Sequence, residues 1–263
     1  MIQEGQVRLQ FLGQSGFVLT FPTGRILVDG YFSAHPDRLA EPPVDASELT
    51  DLDIIAFTHE HGDHLDIDAV PLLAAASPTA RFVAPTPCVR ILAQCGVSAE
   101  RIVSVEPDQS VMLAGIEIRP VRARHALKGG EPYSFGENAR AFRFLGYVLR
   151  AQGVVIYHAG DTIDYEGLAE TLRSLAVDVA LLPINGRDAD REKQGIAGNL
   201  DAREAAVLAI AAGVDVAIPM HHDMFATNPG YPEDFVRAFR ELHAPVTAVV
   251  MSTGSSFTYT KGS

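Results

Sequence analysis

Only two cysteines, Cys88 and Cys95, occur in the 263 residues. So few thiols build no disulfide framework, which fits a reducing cytoplasm. Spaced seven apart in CVRILAQC, they fall on one face of a helix. They read there as small apolar residues, half buried, rather than as a redox or metal pair. No run of about 18 uncharged apolar residues exists, so no membrane-spanning helix is expected. The opening MIQEGQVRLQFLG lacks a basic segment followed by an apolar one, and no secretory leader is expected. Positive charge is scarce too: 21 Lys and Arg face 33 Asp and Glu, a formal net charge of −12. That balance disfavours nonspecific binding to nucleic acid or an anionic membrane. It leaves room for a local basic pocket and a small anionic substrate. Linkers, internal repeats and low-complexity tracts are also missing, so one domain over residues 1–263 is expected. An apolar content of 47% suffices for a substantial core.

What the chain does contain is a long series of short apolar runs. VRLQFLG, GFVLTF and RILVDGYF read as strands, punctuated by Gly13, Gly16, Pro22 and Gly24. DLDIIAFT is another strand. AVPLLAAAS reads as a helix capped by Asp68, with Pro71 tolerated in its first turn. RFVAP is a strand, TPCVRILAQCG a helix closed by Gly96, and RIVSV, SVMLAG and IEIRPVRARH are strands. Residues 126–141 read as a long loop, followed by the strands FRFLGYVLRA and GVVIYHAG. The helix YEGLAETLRSLA, the strand DVALLPIN and the loop GRDADREKQGIAGN come next. DAREAAVLAIAAG is a helix with an acidic start and a glycine stop. VDVAIPM is a strand, YPEDFVRAFREL a helix and APVTAVVMST the last strand. The natural packing puts sheets inside and helices outside.

The strands repeatedly end in metal-capable groups. IIAFT runs into THEHGDHLD, which carries His59, His61, Asp63 and His64; later runs end at His125, Asp161 and His221. Strand ends hold ligands stiffly, which a metal site requires. In an extended stretch His59 and His61 point the same way and could share one ion. Gly62 permits a turn that redirects Asp63 and His64 to a second position. Four donors on one turn suit two neighbouring ions better than one, and Asp161 is the best bridging carboxylate. Asp161 could otherwise be a turn residue or helix cap. The choice between His221 and His222 is open at this level.

These residues resemble the metallo-β-lactamase superfamily of hydrolases over nearly the whole chain. FLGQSGFVLTFPTGRILVDG is similar to its opening hairpins, with Asp29 as the early acidic motif, and THEHGDHLD to its histidine signature. The resemblance implies an α+β, four-layer sandwich of two mixed sheets flanked by helices, with the metal site at one edge. It implies that His59, His61 and His125 hold one divalent ion, that Asp63, His64 and His221 hold a second, and that Asp161 bridges them. His222 becomes a substrate-facing candidate. Asp29 is placed behind the ligands, orienting a histidine, or is an ordinary turn residue. YHAGDT, LLPINGRDADR, IAGNLDAREA and IPMHHDMF are similar to the branch containing the L-ascorbate-6-phosphate lactonases. DGYFSAHPDR departs from the commoner Asp-Pro form of the early motif, so the resemblance does not specify the shape of the pocket rim.

The reading is therefore a metal-dependent hydrolase that opens a phosphorylated sugar lactone with water activated by two ions. Asp63 and Asp161 are the expected catalytic carboxylates. His158 reads as a buried structural histidine, with proton donation to the leaving alkoxide as its functional alternative. Arg187 is the first choice for the substrate phosphate, followed by Lys128, Tyr133 and Asn185. Histidine and carboxylate without cysteine accommodate zinc, iron or manganese. The lactonase likeness favours manganese and the wider superfamily zinc. A phosphodiesterase at the same site is the alternative, and a non-catalytic metal-binding regulator a weaker one. A homo-oligomer is compatible with the sequence but not specified by it.

Overall fold

The computed structural model describes residues 2–125, 133–136 and 142–262. Six strands open the chain: β1 (Gln6–Gly13), β2 (Gly16–Thr20), β3 (Arg25–Val28), β4 (Ile54–Ala56), β5 (Arg81–Pro85) and β6 (Ile102–Val105). Seven more build a second sheet: β7 (Val111–Leu113), β8 (Ile116–Arg122), β9 (Leu145–Ala151), β10 (Val154–His158), β11 (Val179–Pro183), β12 (Val216–Met220) and β13 (Thr247–Ala248). The chain then returns as β14 (Ser256–Thr260) to the free edge of β1. The first sheet has the order β14-β1-β2-β3-β4-β5-β6 and the second β13-β12-β11-β10-β9-β8-β7. Each is antiparallel over four strands and parallel over the remaining three.

Side-chain alternation explains the layers. Ile26, Ile54 and Val83 face the second sheet, whereas Leu27, Ile55 and Phe82 face the opposite way. The outward set is covered by helices α1 (Ala69–Ala76) and α2 (Thr86–Gln94). The far side of the second sheet is covered by α3 (Leu168–Ser174), α5 (Ala202–Ala212) and α6 (Pro232–Glu241), with α4 (Ala189–Lys193) a short turn between β11 and α5. The result is the four-layer α+β sandwich of two mixed sheets. Each fully buried Leu, Ile or Phe contributes about 1.5–3 kcal/mol, so sliding one sheet past the other is costly and the strand ends are fixed. Cys88 is buried, Cys95 is half buried, and both are free thiols. Among the described residues no helix is long and apolar enough to cross a membrane.

Several local expectations change. GRDADREKQGIAGN contains α4, capped by Asp188, whose carboxylate accepts from Asp190 N and Arg191 N. The last apolar run forms only the two-residue β13, and the final strand is β14, whose alternating SFTYT pairs with β1. Asp68 makes no side-chain cap for α1. Asp66 does that work instead, accepting from Asp68 N and Ala69 N at 3.2 Å each. The same buried carboxylate accepts from Phe32 N (2.9 Å), Ser33 N (2.8 Å) and Ser33 Oγ (2.6 Å). It thus welds the segment after β3 to the histidine-rich turn. Asp66→Ala would strand several buried donors. It should cost about 3 kcal/mol of unfolding free energy, read from urea denaturation.

Candidate metal centre

Four strand ends deliver the donors. His59 lies three residues past β4 of the first sheet; His125, Asp161 and His221 follow β8, β10 and β12 of the second. β8 and β10 are both antiparallel to β9, and β12 runs parallel to β10 through β11, so all three end at the same edge. Gly160, at φ +58°, brings Asp161 inward; a Cβ there would meet Leu145 O and Thr58 Cβ at 2.8 Å. Gly62, in contrast, sits in open space without positive φ. The turn it was expected to create is held instead by His61 O, which accepts from His64 N (3.0 Å) and Leu65 N (2.8 Å). Gln14, Asp29 and His221 all adopt positive φ although none is glycine. Each costs about 1 kcal/mol or more, and all three border the site.

All seven expected donors converge. His59, His61, His125 and Asp161 form one group; Asp63, His64 and His221 form the other. Asp161 straddles them: Oδ2 lies 3.3 Å from His125 Nε2, and Oδ1 lies 3.2 Å from His64 Nε2 and 3.4 Å from His221 Nε2. His221 Nε2 is also 3.4 Å from Asp63 Oδ2. A tetrahedron with metal–ligand bonds of about 2.0–2.1 Å has edges of about 3.3 Å, so these separations fit ligands around ions. His64 Nε2 and Asp161 Oδ1 are buried and hydrogen-bonded to nothing among the described residues, as donors awaiting a cation are.

The supporting shell sets the tautomers. Asp29, fully buried, accepts from Thr58 N (2.8 Å), Thr58 Oγ1 (2.6 Å) and His64 Nδ1 (2.8 Å), so that Nε2 is the nitrogen His64 turns to the centre and the one a cation would take once the ring is neutral. Because the Thr58 hydroxyl spends its proton on Asp29, its lone pair accepts from His59 Nδ1 at 3.0 Å. His59 Nε2 then faces His61 Nδ1 at 2.9 Å, close enough for both to ligate one cation. His125 Nδ1 donates to Gly198 O at 3.2 Å, turning Nε2 to the centre. Phe144 lies beneath His59, His61 and His125 at ring separations of 5.4, 5.8 and 5.3 Å. Gln14 Nε2 donates to Asp63 Oδ2 at 2.7 Å.

Electrostatics divide the imidazoles. Burial, helped by neighbouring histidines, holds His59 well below its ordinary value; burial also lowers His61 and pushes His125 down to about 4. Burial opposes a charge on His64 too, but Asp161, Asp63 and Asp29 outweigh it and raise that pKa well above its ordinary value. His221 is likewise lowered by burial and then raised by Asp161 and Asp63 to about 9. Asp63 and Asp161 resist burial because the histidines hold them well below the usual carboxylate range. Protons on His64 and His221 therefore balance the two carboxylates in metal-free protein.

The other expected residues are distributed differently. His222 turns away and stacks on Phe11 at 6.0 Å. His158 is fully buried and structural: Nδ1 accepts from Gly160 N (3.2 Å) and Nε2 donates to Ser15 O (2.8 Å). Arg187, the expected phosphate ligand, is already occupied. Its two Nη atoms each donate to Glu204 at 2.6 Å, and Nη1 also reaches Asn199 O at 2.9 Å. Together with Asn185 it lines a separate cleft of about 680 Å³. Asn185 is buried and bonded to Asn199 and Asn228. Tyr133 bonds Glu192 (2.7 Å) and Gly198 N (3.2 Å), which fixes the α4 segment instead of facing substrate. Lys128 lies outside the described residues.

The donors open on a cavity of about 560 Å³ whose walls include Tyr31, Arg143, Phe144, Ile196 and Phe225. Sequence reasoning passed over all five. Arg143 is the one Lys or Arg in that lining among the described residues; Glu60 Oε1 accepts from its Nε at 2.7 Å and also from its Nη2. The neighbours Arg143 and Phe144 sit in FRFLG, where strand patterning masked them.

A family model described as the beta-lactamase superfamily domain matches residues 24–222. A UPF0173 metal-dependent hydrolase from Rubrobacter xylanophilus is 30% identical over 268 residues, spanning 97% of this chain and 98% of the relative. The chain belongs to the metallo-β-lactamase superfamily, among the UPF0173 metal-dependent hydrolases. Of solved structures, Igni18, a metallo hydrolase from Ignicoccus hospitalis, superposes with a TM-score of 0.76 at 22% identity, over 98% of this chain and 100% of that one. An isothiocyanate hydrolase from Delia radicum gut bacteria superposes with a TM-score of 0.75 at 14% identity, over 97% and 100%. Both share the fold.

Two outcomes follow from the shell and its charges. Asp29→Asn keeps one acceptor oxygen, so it cannot serve Thr58 N as well as the Thr58 Oγ1 and His64 Nδ1 donors, and should weaken metal binding about 10–100-fold by competition titration. In metal-free protein the stability from protonated His221 is complete below about 6.5, its ordinary value, and is lost as pH rises through about 9. Metal must displace that proton, so its affinity rises up to about tenfold per pH unit for each proton released. The Tm gap between metal-loaded and chelator-treated protein should therefore widen from pH 6.5 to 9.

Proposed function

We propose that this hydrolase acts at a two-ion centre on an anionic ester or lactone, with a phosphorylated sugar lactone of the L-ascorbate 6-phosphate type as the leading substrate. The carrying observation is the Asp161 carboxylate, one oxygen towards each donor group, beside a cavity large enough for such a molecule. In this reading His59, His61 and His125 hold one ion, Asp63, His64 and His221 the other, and Asp161 both. Bound zinc or manganese supplies Lewis acidity and a water acidic enough to be a nucleophile near neutral pH.

The chain's own groups do the rest. Asp63 Oδ2, steadied by Gln14, takes up the proton that the attacking water gives up. Asp161 keeps both donor groups in register. Phe144, Ile196 and Phe225 shield the reacting centre from bulk water and strengthen charge interactions within it. Arg143, though paired with Glu60 through Nε and Nη2, lines the donors' own cavity, and its Nη1 is the group that would meet the anion in the role foreseen for Arg187. The phosphodiesterase alternative draws on the same cation and the same apolar walls, which suit an aryl or lipid-like diester.

Zinc- and manganese-loaded protein should open L-ascorbate 6-phosphate; turnover of bis-p-nitrophenyl phosphate without lactone opening would transfer the assignment to diesters. His61→Ala and Asp161→Ala should each lower bound metal, measured by elemental analysis, and abolish turnover. Full activity in either variant refutes the centre.

A further inference from the structure

Tyr31 is only 8% exposed, lines the cavity beside Asp63 and Asp161, and its hydroxyl has no hydrogen-bond partner among the described residues. Its oxygen, unlike the sealed Tyr157 hydroxyl, opens on the cavity, where water or a ligand must satisfy it. Four of the other six tyrosines are bonded: Tyr133, Tyr147, Tyr165 and Tyr259 donate to Glu192, Phe57 O, Arg122 O and Asp215 at 2.6–2.7 Å. Tyr231 is exposed, and the unpaired Tyr157 hydroxyl is sealed in the core away from the cavity.

The fold nonetheless fixes Tyr31 firmly. Its segment lies between two carboxylate clamps, Asp29 on Thr58 and His64, and Asp66 on Phe32 N and Ser33 N. Arg38 sits 4.9 Å over the ring, and its guanidinium is itself held by the carbonyls of Tyr31, Ser33 and Ala40. Phe225 closes another side at 6.2 Å. A donor held so rigidly without an acceptor is preorganised for one that arrives with the ligand.

We propose that Tyr31 is a catalytic residue, its hydroxyl donating a hydrogen bond to the substrate oxygen that gains negative charge when a carbonyl or phosphoryl ester is attacked. This rests on the site assignment above and extends it to a residue in the departing DGYF stretch. The acceptor is the ester's own oxygen, so the contact strengthens as charge builds there and favours the transition state over the bound ester.

The test uses zinc-loaded protein labelled with 3-fluorotyrosine, with Tyr31→Phe identifying the Tyr31 resonance by its disappearance. Phenylphosphonate, a tetrahedral anion with an apolar ring, is the probe. Its addition should shift that resonance, and Tyr31→Phe should bind it about tenfold more weakly at unchanged zinc content and Tm. On any substrate that turns over, kcat should fall about 10²–10³-fold with KM little changed. An unmoved resonance or equal affinity overturns the proposal. Turnover without the shift rejects Tyr31 and spares the substrate reading; the shift without turnover of any ester or diester does the reverse.

Discussion

Two neighbouring carboxylates held among five imidazoles at the floor of a cavity govern this molecule. They share a site closed on most sides, and none is repelled out of it because protons or cations divide the charge among them. Everything around the site serves to hold that arrangement. Asp29 and Thr58 settle which nitrogens carry hydrogen, Gly198 O does the same for His125, and three non-glycine residues accept left-handed backbone at its border. Such strain persists only where the surroundings over-determine it.

The scaffold meets this demand by dividing the donors between two sheets. The histidine-rich turn belongs to the first sheet, and His125, Asp161 and His221 belong to the second. The interior between the sheets is therefore also what sets the separation of the two donor groups. Core packing and chemistry are coupled here: loosening around Ile26, Ile54 or Val83 would move half of the donors against the other half. Asp66 adds a local tie, joining the loop of Tyr31 to the turn of His59 and His64.

The donors were legible in the sequence because their signal is local. Period-two alternation aligns His59 with His61, and apolar runs announce the strand ends at which His125, Asp161 and His221 stand. The layer order came instead from the resemblance of the opening hairpins and THEHGDHLD to the superfamily, since local pattern gave only sheets inside and helices outside. What escaped depends on partners distant in the chain. Nothing near Arg187 says that Glu204, on the first turn of α5, claims its guanidinium. Asp66 and Asp68 are equally good caps by position, and only the approach of Phe32 and Ser33 selects Asp66. SFTYT is too polar on one face to read as an edge strand until β1 is seen beside it. Tyr31 and Arg143 bear on the cavity through tertiary placement alone, one in a loop and one ahead of a strand.

Both sheets repeat one succession of strand directions, three antiparallel pairings followed by three parallel ones. By this ordering β4 and β11 are counterparts, each the fifth strand of its sheet when counted from β14 and from β7. The chain emerging from β4 carries the histidines; the chain emerging from β11 carries Asn185, Gly186 and Arg187 beside the other cleft. Two topologically equivalent exits thus differ in what their side chains are free to bind: one presents histidines grouped at the centre, with His64 Nε2 hydrogen-bonded to nothing among the described residues, the other an arginine already neutralised by Glu204.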